Sequence, residues 1–213
     1  MFGFDGTGTH LGNLYMLTDG VSRSISAENF SGEKGMGGMA TDGLGKQYAM
    51  DLGPGWKISP GVMIAPHEVV TLADIEGPGM INSMWMAGYV GRDFILRIYW
   101  EGQGDASVEC PVSDFFAVGW SDNNNPERRG PHAQISSIPV SVNPNLGLNC
   151  FWTMPFKKSC KITIENISPE ERWLFYQISY TLIKLPDDIA YFHAQFRRTN
   201  PVPYKETHTV IDG

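Results

Sequence analysis

The sequence is short of basic residues, and this shortage argues against two classes of partner. Lysine and arginine number 16 against 23 aspartates and glutamates, which gives a formal net charge of −7. Adjacent basic residues occur only as the pairs Arg128-Arg129, Lys157-Lys158 and Arg197-Arg198. Because nucleic acids and anionic membranes are bound by a basic surface that neutralises phosphates, we expect neither as a partner.

Cysteine is equally scarce, with Cys110, Cys150 and Cys160 and no C-x-x-C pair. This odd, sparse count favours free, buried thiols in a reducing compartment; one disulfide with a spare cysteine is the alternative. The histidines also lie far apart, without H-x-H or H-E-x-x-H spacing, at positions His10, His67, His132, His193 and His208. We therefore predict no metal site and no cofactor.

Long apolar runs are missing too. No stretch approaches the about 18 consecutive apolar residues that a membrane-spanning helix needs. The first thirteen residues, MFGFDGTGTHLGN, lack the basic start and apolar core of a signal peptide. The expectation is a soluble, cytoplasmic protein.

Helical periodicity is almost absent, and about ten short extended segments with Gly, Pro and Asn turns take its place. Phe94–Trp100 alternates with Phe94, Leu96, Ile98 and Trp100 on one face, and Trp173–Leu182 alternates in the same way. Further extended segments are predicted at Glu68–Ile75, Met80–Met86, Ser107–Pro111, Ile135–Val142, Cys150–Met154, Lys161–Asn166 and Tyr191–Arg198. This pattern predicts an all-β antiparallel sandwich, in its larger form a jelly roll, over residues 1–198. Residues 199–213 are interpreted as a linker, with Thr207–Ile211 starting another strand.

Polar chemistry is densest in Ser22–Gly38, which we interpret as a loop. It carries Arg23, Ser24, Ser26, Glu28, Asn29, Glu33 and Lys34 and ends in a run of glycines. Such a loop suits ligand binding, although a solvated connection has the same composition. Trp56 follows, as either a core plug or a surface platform for a ring, with the plug favoured. His193 lies on the polar face of its predicted strand, where a hydrogen-bonded structural role is the alternative to ligand binding.

Catalytic carboxylates have no decisive spacing. Glycoside hydrolysis usually needs a pair of them, and the local candidates are Glu28, Glu33, Asp74, Glu109 and Asp114. Asp74 ends an apolar strand, where burial would raise its pKa as an acid catalyst requires, but capping of the next turn is the favoured alternative. The sequence has no G-x-S-x-G elbow, and Gly35–Gly38 does not continue into a phosphate loop.

A family resemblance adds what spacing does not. The ordered segments are Ser22–Asn29, Gly32–Gly35, Gly55–Pro60, Thr71–Ile81, Arg92–Gly102, Ser107–Phe116, Met154–Asn166, Phe175–Leu182 and Tyr191–Arg198. Together they resemble the N-terminal half of glycoside hydrolase family 172. The resemblance implies two tandem jelly rolls, assembly into trimers or pairs of trimers, and retaining action on α-D-arabinofuranosides, α-D-fructofuranosides or difructose dianhydride.

The same resemblance implies that no catalytic residue lies in this chain. The family's catalytic glutamates are expected in Gly-Glu-Gly-Glu and Gly-Thr-Glu-Asp-Tyr segments of the second jelly roll, and Asp5–His10 is only superficially similar to the latter. Two hypotheses follow: the N-terminal half of a furanosidase, or a stand-alone, non-catalytic sugar-binding module or assembly scaffold. In either case the expected substrate-binding residues are Arg23, Ser24, Ser26, Glu28, Asn29, Lys34, Trp56 and His193. We also expect the isolated half to self-associate.

Overall fold

The computed structural model describes residues 13, 15–119, 134–143 and 147–211. Within these ranges the chain forms thirteen strands and three short helical segments. The strands are β1 (Val21–Ser26), β2 (Val62–Ile64), β3 (Val69–Glu76), β4 (Gly79–Gly88), β5 (Phe94–Trp100), β6 (Val108–Pro111), β7 (Ile135–Ser136), β8 (Val140–Asn143), β9 (Gly147–Cys150), β10 (Met154–Phe156), β11 (Ser159–Asn166), β12 (Arg172–Leu182) and β13 (Ala194–Gln195). The helices are α1 (Lys46–Ala49), α2 (Val112–Phe115) and a 3-10 turn at Met50–Leu52. No helix in the described ranges is long and apolar enough to cross a membrane.

The strands form two sheets. The larger has the order β1-β12-β4-β9-β8-β7, with β10 also paired to β4 and β2 to β12, and all of its pairs are antiparallel. The smaller has the order β13-β6-β5-β11-β3. Its β13–β6 pair is parallel and its other pairs are antiparallel.

One hydrophobic core joins the two sheets. Strand β5 contributes every second residue, from Phe94 to Trp100, each at most 1% exposed, and β12 contributes Leu174, Tyr176 and Ile178 in the same alternation. All belong to a single buried cluster that draws on both sheets. Because period-2 alternation hides one face of each strand, the two sheets bury their apolar faces against each other. The predicted all-β sandwich is confirmed.

Two predicted strands are wrong in their limits because turns interrupt them. Ile135–Val142 is a hairpin of β7 and β8, since the Ser137 hydroxyl donates to the Val140 carbonyl at 2.8 Å and reverses the chain. Cys150–Met154 is not one strand either: Cys150 ends β9, and Met154 begins β10. Pro155 is tolerated inside β10 because this strand pairs only with β4, so the N–H that proline lacks is not needed by a second neighbouring strand.

The C-terminal predictions fail for a different reason. Tyr191–Arg198 forms only the two-residue strand β13. The Trp100 indole N–H donates to the Phe192 carbonyl at 2.8 Å, so this carbonyl is bonded to a side chain rather than to a neighbouring strand. Alternation in Tyr191–Arg198 predicts Phe196 on the face opposite His193, directed inward, but Phe196 is 36% exposed. Thr207–Ile211 contains no strand and lies exposed, and its His208 contacts the Thr199 hydroxyl at 2.7 Å.

The three thiols match expectation. Cys110, Cys150 and Cys160 are free and buried. Burial raises the pKa of the Cys110 and Cys150 thiols to about 12 and that of Cys160 further. Since the thiolate is the reactive form, these cysteines act as small apolar core residues rather than as nucleophiles.

Candidate functional site

The first part of Ser22–Gly38 is a strand rather than the predicted loop. Arg23, Ser24 and Ser26 lie on β1, at the edge of the eight-stranded sheet, in register with Tyr180, Ser179 and Gln177 of β12. Small polar side chains suit an edge strand because one of its faces meets water. Its anchor is Ile25, which is fully buried.

A tight turn follows β1 and presents Glu28. Ser26 and Asn29 exchange backbone hydrogen bonds of 3.1 and 2.9 Å, so Ala27 and Glu28 occupy the tip. The Asn29 side chain then fixes the next turn: its carbonyl accepts from the Ser31 hydroxyl and the Gly32 N–H, and its amide donates to the Glu33 carbonyl. Asn29 therefore has a structural role that its type and position did not reveal.

Glu28 is only half satisfied. Its Oε1 accepts a 2.5 Å hydrogen bond from the backbone N–H of Ser59, which ties the turn to the chain 31 residues later. Its Oε2 is buried and has no hydrogen-bond partner. A buried carboxylate oxygen without a donor is unfavourable, and in a native protein it indicates strain, an unseen water or a ligand.

Tyr180 lies beside this turn. A Cβ on Gly32 would approach the Tyr180 hydroxyl to 2.5 Å, and the φ of Gly32 is +70°, so glycine is required there. Burial raises the pKa of Tyr180, while the nearby Arg23 guanidinium opposes the shift. Alternation in Trp173–Leu182 accounts for the burial of Tyr180, which is 5% exposed, but no sequence pattern indicates the hydrogen bond between Ser59 and Glu28.

Ser26 begins a polar row across the outer face of the eight-stranded sheet. Pairing places it opposite Gln177, which is opposite Trp85, which is opposite Asn149, with Ser141 next in line. Trp85 is 36% exposed in the middle of the row. A flat aromatic ring among neutral donors and acceptors suits a hydroxyl-rich ligand.

Lys34 and Trp56 lie in the glycine-rich excursion between the turn and β2. Hydrogen bonds from Gly55 N to the Gly38 carbonyl and from Gly45 N to the Ile58 carbonyl close the excursion at its base. Trp56 is 53% exposed, so its favoured interpretation as a core plug is wrong and the surface platform is left. No hydrogen bond or ion pair joins Lys34 or Trp56 to Glu28 within the described part of the chain.

His193 is placed apart from the other candidates. It is exposed and immediately precedes β13, at the edge of the five-stranded sheet, whereas β1 belongs to the eight-stranded sheet. Its substrate-binding role stays a prediction, since no hydrogen bond or ion pair among the described residues joins it to the Glu28 turn.

The remaining candidate carboxylates have structural partners or open surroundings. Arg92 donates to both oxygens of Asp114 at 2.8 Å, and Arg97 donates to Glu109 at 2.5 Å. Glu33 and Asp74 are exposed. The burial on which an acid role for Asp74 depended is therefore missing.

Metal ligation finds no support among the residues that the structure describes, where no three His, Cys, Asp or Glu side chains could hold an ion. His10, His132 and the Asp5–His10 segment lie outside the described residues. The Glu28 turn offers an unpartnered carboxylate oxygen, and the preceding strand β1 carries serine hydroxyls and an arginine, all groups that can bind hydroxyls.

Comparison with known proteins identifies the sandwich. The model of the first β-sandwich domain of GH172 matches residues 62–200, well over half of the 213 residues. No curated protein matches the chain. The matched range runs from β2 through β13, so it includes His193 but not β1, the Glu28 turn or Trp56. The chain thus belongs to glycoside hydrolase family 172, a family of carbohydrate-active enzymes, through the family's first β-sandwich domain.

Proposed function

We propose that this chain is the non-catalytic first sandwich of a retaining glycoside hydrolase that acts on α-linked furanosides. The observation that carries the proposal is the match of residues 62–200 to a domain described as the first β-sandwich of GH172. A first domain implies another, and the family resemblance assigns the catalytic glutamates to it. Neither the Gly-Glu-Gly-Glu nor the Gly-Thr-Glu-Asp-Tyr segment occurs in the 213-residue sequence.

In this proposal the Glu28 turn forms one wall of the substrate pocket. The unpartnered Oε2 of Glu28 accepts a hydrogen bond from a furanose hydroxyl, and Arg23, Ser24 and Ser26 offer further polar contacts on the adjacent strand. Support comes from the buried, unsatisfied oxygen and from the tie to Ser59, which holds the carboxylate in place. A carboxylate that is held before the ligand arrives loses little conformational entropy on binding.

The decisive experiment is turnover. The purified chain is incubated with an aryl α-D-arabinofuranoside and with difructose dianhydride, alone and together with a GH172 second sandwich. We expect turnover only in the mixture, because the catalytic pair comes from the second domain. Turnover by the chain alone would contradict the proposal that the catalytic residues lie in the second sandwich.

A paired variant tests the pocket wall in the active mixture. Glu28→Gln removes the charge that accepts the sugar hydroxyl, so kcat/KM should fall by about tenfold or more. Glu33→Gln, on an exposed side chain of the same segment, is the matched control and should leave kcat/KM unchanged. Equal activity of both variants would remove Glu28 from the pocket.

We further propose that the chain assembles with copies of itself, as a trimer or a pair of trimers. In residues 30–56, large apolar side chains are at least 40% exposed at Phe30, Met36, Met39, Leu44, Tyr48, Leu52 and Trp56. Apolar surface beyond a few hundred Å² is uncommon on monomers and supports association. Light scattering should show an oligomer that Tyr48→Ser with Trp56→Ser weakens, whereas a concentration-independent monomer would contradict the assembly.

The second candidate is a stand-alone sugar-binding module. The row from Ser26 through Gln177, Trp85 and Asn149 favours it, since it offers a ring and neutral polar groups on one face. It predicts binding of furanoside oligosaccharides without turnover in any mixture. Loss of that binding in Trp85→Ala, measured by titration calorimetry, separates it from the first proposal.

A further inference from the structure

A second polar row lies on the opposite side of the sandwich, across the outer face of the five-stranded sheet. Strand pairing places Lys161 of β11 between Asp74 of β3 and Tyr99 of β5. Asp74 and Lys161 are exposed and Tyr99 is half-buried. Among the described residues, the ion pairs involve neither Asp74 nor Lys161, so both charges face solvent without a partner.

A cavity of about 520 Å³ opens over this row. One wall is the turn after β5, where Glu101 and Gly102 have φ values of 59° and 74° and Gln103 N donates to the Trp100 carbonyl at 3.0 Å. The Gln103 side chain is held in turn, since its carbonyl accepts from the Ser107 hydroxyl at 3.3 Å. The volume lies in the range of small-molecule sites, and the turn gives the wall a fixed shape.

Thr163 lines the same cavity and is the observation that points to a ligand. Its side chain is 5% exposed, and its hydroxyl has no hydrogen-bond partner. Its register neighbours are Thr71 and Arg97, and Arg97 donates through Nε to Glu109 and through Nη1 to Glu165. Valine has the same shape without the unsatisfied oxygen, so folding alone does not explain a threonine here.

We propose that this cavity binds one unit of a neutral oligosaccharide, with the Tyr99 ring as its stacking face. One carboxylate and one ammonium side by side leave no preference for a charged ligand, yet they accept from and donate to neighbouring hydroxyls. The apolar ring covers the C–H face of a sugar, and Gln103 and the Thr163 hydroxyl supply further polar contacts. The inference does not rest on the proposed α-furanoside activity, because binding here needs neither the Glu28 turn nor a second sandwich.

The test is a titration of the 15N-labelled chain with α-1,5-arabinotetraose, followed by NMR chemical shifts. Shifts should concentrate at residues 99–104 and 159–163. Tyr99→Ala should weaken binding by about tenfold or more, since stacking is lost. Thr163→Val should weaken it by about three- to tenfold, since one hydrogen bond is lost.

Matched controls lie close at hand. Thr71→Val changes the exposed threonine opposite Thr163 and outside the cavity lining, and Tyr204→Ala removes a tyrosine that is 86% exposed elsewhere. Both should bind the tetrasaccharide as the unaltered chain does. If Tyr99→Ala does not fold, the isosteric Thr163→Val decides alone.

Four results would overturn the inference. They are no binding by the unaltered chain at about 50 mM sugar, unchanged affinity in Thr163→Val, shifts confined to residues 26–29 and Trp85, and tighter binding of tetragalacturonate than of the neutral tetrasaccharide. Failure of furanoside turnover in the mixture would leave this binding untouched, so the two proposals fail separately.

Discussion

Asn166 and Glu28 each hold a turn against the sandwich, and they differ in how completely their polar atoms are paired. Asn166 is fully buried, its amide donates to the carbonyls of Ile64, Ala65 and Glu170, and its carbonyl accepts from the Ser168 N–H and hydroxyl. Glu28 keeps one oxygen on Ser59 and leaves the other buried without a partner.

The difference separates folding from function. A buried network in which every polar atom is paired fixes local structure, because breaking one of its hydrogen bonds leaves a buried donor or acceptor without a partner. A buried group that keeps one polar atom unpaired lowers stability, and strain, a water or a ligand can account for it; the proposed pocket assigns the second oxygen of Glu28 to a ligand. The same reasoning applies to Thr163, whose buried hydroxyl is entirely unpaired.

The largest expected effect is the loss of the Asn166 network. Asn166→Ala removes the side-chain hydrogen bonds to the carbonyls of Ile64, Ala65 and Glu170 and to Ser168, at the junction of β2, β11 and β12, so the free energy of unfolding should fall by about 3 kcal/mol. Urea unfolding followed by tryptophan fluorescence measures it. The control Asn143→Ala, on an exposed residue at the end of β8, should stay within about 0.5 kcal/mol. A loss below about 1 kcal/mol in Asn166→Ala would break the comparison.

Sequence patterning anticipates the strands far better than it anticipates such networks. β5 has the limits predicted for it, and β12 differs by one residue, because alternation in Phe94–Trp100 and Trp173–Leu182 reflects the burial of one face. The role of Asn166 depends on residues 64, 65, 168 and 170 meeting in space. No local pattern encodes that meeting, and the same holds for the indole bond that ends the ladder near Phe192.

A smaller effect is expected at Glu28. Glu28→Ala removes the acceptor of the Ser59 N–H, and we expect a loss of about 1.5 kcal/mol in the free energy of unfolding. Glu28→Gln keeps an oxygen for Ser59 and should lose less than half as much. Equal losses in the two variants would mean that the second oxygen also supports the fold, contrary to its lack of a partner.

The candidate site was half visible in the sequence. The density of polar residues in Ser22–Gly38 indicated the correct stretch. The strand β1 within it was predicted as a loop because Ser24 and Ser26, at the edge of the sheet, lack the apolar alternation of a strand. Tyr180 and Ser59 were missed because they come from distant parts of the chain. The unpaired oxygen of Glu28 is a property of the folded turn and has no counterpart in composition.

The smallest effect has the opposite sign. Thr163→Val replaces an unpaired buried hydroxyl by a methyl group of equal size, so the free energy of unfolding should rise by about 1 kcal/mol. Thr71→Val, across the strand pair on an exposed side chain, should change it by less than about 0.5 kcal/mol. A destabilised Thr163→Val would mean that the hydroxyl is already satisfied and that the cavity floor needs no ligand. If Thr163→Val is more stable and also binds the tetrasaccharide more weakly, the threonine lowers stability but supports binding. Asn166 is the opposite case, because its paired side chain supports the fold.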